Sequence, residues 1–353
     1  MNRKLYKKEK KKSSKKRLAL MISLIVVASL FISLSTYAVY LTKKAETAAD
    51  NAFEKVEGRE SSDLRVEKVE PINDNVSVLF IGVDDSEKRA QGEKGSRSDA
   101  LMLATLNNQS KTVKLVSIPR DSYVYIDEVG YNDKITHAHS YGGTKATIET
   151  VENLLEVPVD YYVKMNFNAF IEIVDALGGI EAEVPYKLLE KDENDQRTVK
   201  LEPGLQELNG REALALARTR KLDNDIERGK RQQMILSGIV KKASSASSFT
   251  KYGEVIDAVG NNMKTDMTFN EMKSFFEYIK GGAPEIDTLT LEGYDDMTTG
   301  VYYWKLKEES LQETKDILKS HLGIIPGADN LSDSSTTSGS TLDGIAIEDS
   351  TKN

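Results

Sequence analysis

The chain has 353 residues, no cysteine, 48 basic and 56 acidic side chains, and a formal net charge of −8. The missing cysteines exclude a disulfide framework, a thiol nucleophile and cysteine-ligated metal, yet the length suffices to bury a core without such staples. An acid excess also argues against nucleic acid as a partner.

Residues 1–17 hold ten Lys or Arg against a single acid, Glu9, and Leu18–Leu41 is an uncharged, mostly apolar run of 24 residues. Such a run spans a ~30 Å hydrocarbon core, and the basic flank is expected to stay in the cytoplasm with everything after Leu41 outside. The run is too long for a signal-peptide core, and no small-x-small cleavage site ends it before Lys43. Past the tail, 38 basic residues face 55 acidic ones, a net of −17, so any local basic patch is conspicuous. Residues 42–72 are charged and read as a stalk, helical at first through Ala45, Ala48, Ala49 and Ala52.

A folded domain is expected over 73–325. Val76–Val83 reads as a buried strand, and Leu101–Leu106 and Thr112–Ile118 as two more, joined by the turn Asn107–Ser110. Thr144–Leu155 has helical spacing and ends before Pro158. Tyr161–Met165 reads as a strand, and Phe167–Leu177 as an amphipathic helix closed by Gly178-Gly179. Asn209–Arg218, Ile226–Lys242 and Phe269–Ile279 read as helices. The expected fold class is α/β: a layered α-β-α domain with a mixed central sheet, preceded by one transmembrane helix. Residues 245–325 look folded, Trp304 included, but carry no legible chemistry. The Ser/Thr/Asp/Gly-rich end, 326–353, is expected to be disordered.

Two charged clusters stand out. Asp84 ends one strand and Asp99 precedes another, which places both at one sheet edge. Two carboxylates there suit Mg²⁺ (or Mn²⁺), although Asp is also common in strand-end turns. Arg97 and Arg120 flank the same strands, and Pro119 restricts the chain before Arg120. Arg218 and Arg220 would diverge on a continuous helix but share a face if the helix ends near Arg218. The alternative is a pair of helix C-terminal arginines favoured by the dipole. Asp225, Arg228, Arg231 and Gln232 follow on one helical face. Residues 218–231 hold six basic groups and three acids. Guanidinium forks bind phosphate oxygens bidentately, so arginines gathered with carboxylates point to a metal-assisted pyrophosphate site. Phosphate-binding glycine loops, a dinucleotide fingerprint and a nucleophile elbow are absent from the sequence. His137 and His139 lie in a stretch, 134–143, that reads either as a loop near the site or as local structure with no role in it.

Five segments in order resemble the LytR-CpsA-Psr family of Gram-positive cell-envelope proteins, within a motif core of 76–236. They are Leu79–Asp84, Arg97-Ser98-Asp99, Ser117–Asp121, Asp175–Ile180, and Ala213–Arg220 continuing through Asp225–Gln233. The family usually has glycine just before the arginine that stands here as Arg228. The resemblance implies transfer of a glycopolymer phosphate, teichoic acid or capsule, from a polyprenyl-pyrophosphate lipid to peptidoglycan at the outer membrane face. It implies Asp84 and Asp99 as Mg²⁺ ligands and Arg97, Arg120, Arg218 and Arg220 as pyrophosphate ligands, with Arg231 and Gln232 beside them. Arg120, Asp225 and Arg228 fall at catalytic positions, Asp225 as base or orienting group. The inward face of Phe167–Leu177 (Phe170, Ile171, Val174 and Leu177) would line a lipid groove or an ordinary core. Two other functions remain open: hydrolysis of the same lipid donor, and a non-catalytic envelope regulator. The short tail leaves no room for a DNA-recognition motif.

Overall fold

The computed structural model describes residues 3–83, 96–192, 196–219, 224–245, 251–279 and 282–324. Asp84, Arg220 and the segment 326–353 lie outside the described residues. Helix α1 (Arg3–Ala52) is followed by β1 (Val76–Val83), β2 (Ser98–Asn107), β3 (Thr112–Ser117), β4 (Tyr123–Ile126) and β5 (Tyr131–Lys134). Next come α2 (Thr136–Leu155), β6 (Tyr161–Asn166), α3 (Phe167–Leu177), β7 (Ile180–Val184), β8 (Leu188–Glu190), β9 (Val199–Leu201) and β10 (Gly204–Leu208). Helices α4 (Gly210–Arg218), α5 (Asp225–Ala243) and α6 (Tyr252–Asn262) precede β11 (Met263–Thr265) and α7 (Phe269–Ile279). The last elements are β12 (Glu285–Thr290), β13 (Gly293–Asp296), β14 (Tyr303–Leu306) and α8 (Glu308–His321).

The central sheet has six strands in the order β11-β6-β1-β2-β3-β12. It is mixed, as the hairpin-length turn demanded: β1–β2, β2–β3 and β6–β11 are antiparallel, β1–β6 and β3–β12 parallel. Asn107 closes the β2–β3 turn by accepting, through Oδ1, from the backbone N–H groups of Gln109 and Ser110. Alternation along β1 then builds the layers. Leu79, Ile81 and Val83 face one core with Ile148 and Val151 of α2 and Leu318 of α8. Val76 and Val78 face the other with Tyr161, Val163, Met267 and, at its rim, Phe80 and Leu236. Helix α3 spans the residues its pattern predicts, with Asn166 accepting from the Ala169 N–H and Gly178 ending it at φ 80. Helix α2 starts earlier than expected and kinks at Gly142-Gly143, so Thr144–Leu155 is its second half and 134–143 is not a loop.

Among the described residues, one helix is long and apolar enough to cross a membrane, the stretch Arg17–Ala52 of α1. The expected stalk is corrected: from Ala48 onward, residues 42–72 dock on the domain. Ala48, Ala49 and Ala52 are buried, against α6 in particular, where a Cβ added at Gly260 would lie 2.7 Å from that of Ala48. Beyond the helix, Val56 joins the core and Arg59 grips Glu152 through two hydrogen bonds of 2.9 Å each. Arg65 holds Asp160 at 2.8 and 2.6 Å. The short alanine face that reads as a polar linker is a close-packing seam, because small side chains let two helix backbones approach.

Candidate functional site

A cavity of roughly 730 Å³ opens between the sheet and helices α3, α4 and α5. Phe80, Met102, Val163 and Met165 form its floor, while Phe170, Ile173, Leu214, Ile235 and Ile239 form its walls. Arg97, Asp99, Arg120, Arg218 and Arg228 line the same cavity as its charged part. Of the residues expected on the inward face of α3, Phe170 lines this cavity, joined by Phe167 and Ile173, whereas Ile171 does not and Val174 and Leu177 are buried as ordinary core.

Local structure brings these distant side chains together. Strands β1 and β2 pair so that Gly82 faces Ala100, leaving Asp99 at the sheet edge where β2 begins. Strand β3 ends at Ser117, and the Ile118-Pro119 step delivers Arg120 beside Asp99, with which it forms an ion pair. Helix α4 ends at Arg218 because Thr219 turns extended (φ −61, ψ 140), as inferred from the arginine spacing. The guanidinium of Arg218 lies over the Phe167 ring, 4.2 Å from its centroid. Asn224 caps α5 by accepting from the Glu227 N–H, which sets Arg228 in the first turn, 4% exposed and 3.3 Å from Asp225.

A second charged layer lies behind Arg120. Its Nε is 3.8 Å from Asp121, whose other oxygen takes Lys134 Nζ at 2.9 Å. Burial opposes ionisation of Asp121, but the Lys134 hydrogen bond and the Arg120 and Lys134 charges outweigh it and hold the carboxyl below its usual range. The Asp121 and Asp225 carboxylates also interact with each other. Tyr302 stands over Lys134, with the ammonium 5.6 Å from its ring centroid. Burial first, then Asp295 and the Asp225 and Asp121 charges, push its hydroxyl pKa upward.

Two expectations change. Arg231 does not line the cavity; it is buried, with Nε donating to Leu216 O at 3.1 Å and a terminal nitrogen to Thr219 O at 2.7 Å. An arginine three positions beyond Arg228 was placed with the substrate ligands, but the end of α4 leaves carbonyls without helical partners, and Arg231 takes them. Asp225 likewise sits beside Asp121 and Arg228 and not on the cavity wall. Gln232 does line the cavity while donating to Ala217 O at 3.3 Å. Of the expected metal ligands only Asp99 is described, and among the described residues no group of three acids or histidines converges to hold an ion. The spacing argument missed Lys134 and Tyr302. Asp121 stood in the quoted Pro119-Arg120-Asp121 run, which was the available signal.

The LytR_cpsA_psr family model matches residues 35–320. The polyisoprenyl-teichoic acid–peptidoglycan teichoic acid transferase TagT of Bacillus subtilis (strain 168) is 38% identical over 326 residues, covering 92% of this chain and 100% of its own. The corresponding transferase TagU of Bacillus licheniformis is 37% identical, covering 89% and 98%. The solved structure of TagT bound to LIIa-WTA superposes with a TM-score of 0.66 at 39% identity, over 76% of this chain and 99% of that one. A structure of the LytR-CPS2A-psr protein YwtF (TagT) with bound octaprenyl pyrophosphate lipid gives 0.62 at 36%, with coverage of 76% and 99%.

Proposed function

The chain belongs to the LytR-CpsA-Psr family, and from that premise we propose that it is a phosphotransferase, moving a wall glycopolymer phosphate from a polyprenyl-pyrophosphate carrier to a peptidoglycan sugar hydroxyl. One observation carries the reading: a single cavity has an apolar interior and an arginine-lined part. A prenyl chain offers no hydrogen-bonding atoms and fits the first, while a pyrophosphate needs bidentate cations and fits the second. Named relatives are teichoic acid transferases, and a related structure holds octaprenyl pyrophosphate.

The cavity's apolar lining includes Met263, at the junction of α6 and β11. The neighbouring Lys264 donates to Asn51 O at 3.1 Å, so this wall adjoins the end of α1. A lipid tail rising from the membrane would enter on that side, with the basic N-terminal tail cytoplasmic and the domain external.

In the reaction an acceptor hydroxyl oxygen bonds to the phosphorus that carries the glycopolymer. The bond from that phosphorus to the bridging oxygen breaks, and polyprenyl phosphate leaves with the electron pair. Such transfer depends on positioning and charge neutralisation more than on covalent help. Arg97, Arg120, Arg218 and Arg220 hold the two phosphates, and Gln232 contacts the donor. Arg228 neutralises developing charge, and Asp225 orients it through their 3.3 Å contact. Asp99, with Asp84, would hold Mg²⁺ (or Mn²⁺), which supplies further neutralisation when bound. A lone pair of carboxylates suits Mg²⁺, which draws its remaining ligands from water and substrate phosphate.

The test uses the full chain in vesicles with a lipid-pyrophosphate glycan, Mg²⁺ and peptidoglycan. Linked polymer and polyprenyl phosphate should form in equal amounts, and Arg218→Ala should abolish both without unfolding the protein. Polyprenyl phosphate accompanied by free glycopolymer phosphate and no linked polymer, whatever the acceptor, would replace transfer by hydrolysis.

A further inference from the structure

Seven of the chain's 15 tyrosines (residues 123, 125, 131, 141, 294, 302 and 303) fall on or beside three small elements: the β4–β5 hairpin, the first turns of α2 and the β13–β14 hairpin. The two hairpins meet through a Ser122–Trp304 bridge, and Tyr123 packs edge-on against Tyr303 with centroids 4.8 Å apart. Asp133 gathers the cluster, accepting from His137 Nδ1 and the Tyr141 hydroxyl at 2.7 Å each. Tyr131 and Tyr141 lie edge to face, 6.3 Å between centroids, yet are 50% and 38% exposed.

We propose that this tyrosine surface is the docking platform for the neutral sugar chain of the acceptor glycan, a deepening that rests on the transferase reading above. Its position fits. Lys134 bridges the platform and the reaction centre, with its ammonium on Asp121 beside Arg120 and near the rings of Tyr302 and Tyr303. Its chemistry selects the occupant. Tyrosine rings present rigid apolar faces that match the C–H faces of sugars, and their hydroxyls add hydrogen bonds at low entropic cost. The cations here are already engaged: Lys134 by Asp121, and Lys305 by Asp296 at 3.9 Å and by the face of Tyr123 at 3.2 Å. Asp133, Asp295 and Asp296, each already accepting from a side chain of the platform or its turn, give this face a negative charge. A polyanionic polymer would be repelled, whereas a chain of hydroxyl and amide donors would be held. The donor's charge belongs at the arginine cavity and the acceptor's sugars on this adjoining face.

Binding of a soluble N-acetylglucosamine oligomer to the full chain in detergent, followed by NMR and calorimetry, tests this without any turnover. The oligomer should perturb residues 123–141 and 302–303. The double variant Tyr131→Ala/Tyr141→Ala should weaken binding about tenfold, while Tyr131→Phe/Tyr141→Phe should stay within about twofold. In the transfer assay the alanine pair should raise KM for acceptor and leave donor KM unchanged. Circular dichroism confirms folding of both exposed-site variants. Absence of oligomer binding by the parent chain, or equal binding by the alanine pair, overturns the platform. Retained binding with no transfer by the parent chain sinks the transferase reading and leaves the platform standing.

Discussion

Arg218 lies over Phe167, its guanidinium carbon 4.2 Å from the ring centroid. The contact joins the cavity's two chemistries, since Phe167 opens the helix that forms the apolar wall and Arg218 closes the helix that brings a cation to the cavity's charged part. A planar cation stacked on a ring keeps its outward N–H fork aimed and loses little entropy on binding an oxyanion.

Lysine should therefore not replace this arginine. Arg218→Lys keeps the charge but loses the stacking and the fork, and transfer should fall about a hundredfold, the cost typical of one lost transition-state donor. Phe167→Leu preserves an apolar wall and frees the guanidinium, so donor KM should rise several-fold with kcat less affected. Steady-state kinetics on both variants checks this; equal behaviour of the lysine variant and the parent would remove Arg218 from the phosphate site.

Much of this arrangement was legible before any coordinates. The β1 run, the α3 span with its Gly178 end, and the break after Arg218 all follow from local rules of periodicity and capping. Other parts were not, for physical reasons. Arginines at Arg228 and Arg231 present the same helical spacing, and only tertiary geometry decides that the second braces the carbonyls of α4. Strand β12 is a half-exposed edge strand without a continuous apolar signal. Helix α6 packs chiefly on α1 and α3, elements far away in sequence.

Chelation tests the metal. Removing divalent ions should stop transfer, and Mg²⁺ or Mn²⁺ should restore it. Asp99 also pairs with Arg120, so Asp99→Asn should act twice, weakening the ion's hold and releasing the guanidinium. The expected outcome is a raised Mg²⁺ requirement together with a lower kcat. Full activity of Asp99→Asn at the parent's Mg²⁺ concentration would remove Asp99 from the metal site.

Asp266 offers a pH signature away from the site. Burial raises its pKa to about 6, even though its carboxylate accepts from the Tyr162 N–H at 3.0 Å. The folded state thus binds this proton more tightly than the unfolded chain does. The group's stabilising effect is complete below its ordinary pKa and is lost as pH rises through about 6. Asp266→Asn keeps an oxygen for the Tyr162 N–H and carries no charge. Relative to the parent it should gain up to about 3 kcal/mol at pH 7.5, most of which is gone near pH 4. Denaturant titrations at the two pH values measure the difference; a pH-independent gap would exclude Asp266 as its source.

The Gly260–Ala48 contact determines whether the apolar helix α1 is a loose tether or a rigid mount. A Cβ at residue 260 would sit 2.7 Å from the Cβ of Ala48 and 2.8 Å from its Cα, and that backbone cannot swing aside as a long side chain could. Gly260→Leu must therefore push α1 off α6, with an overpacking cost of about 1–3 kcal/mol. The domain itself should survive, because Arg59–Glu152 and Arg65–Asp160 still clamp the segment after α1. Helix α6 also packs on α3, whose residues line the cavity, so a loosened mount should change how a membrane-bound lipid reaches its groove. Hydrogen exchange should rise across 45–52 and 255–262. Transfer from long-chain donor in vesicles should drop several-fold, while transfer from a short-chain donor in detergent should hold. Equal losses with both donors would mean that the substitution damages the cavity itself and that the mount plays no part in lipid entry.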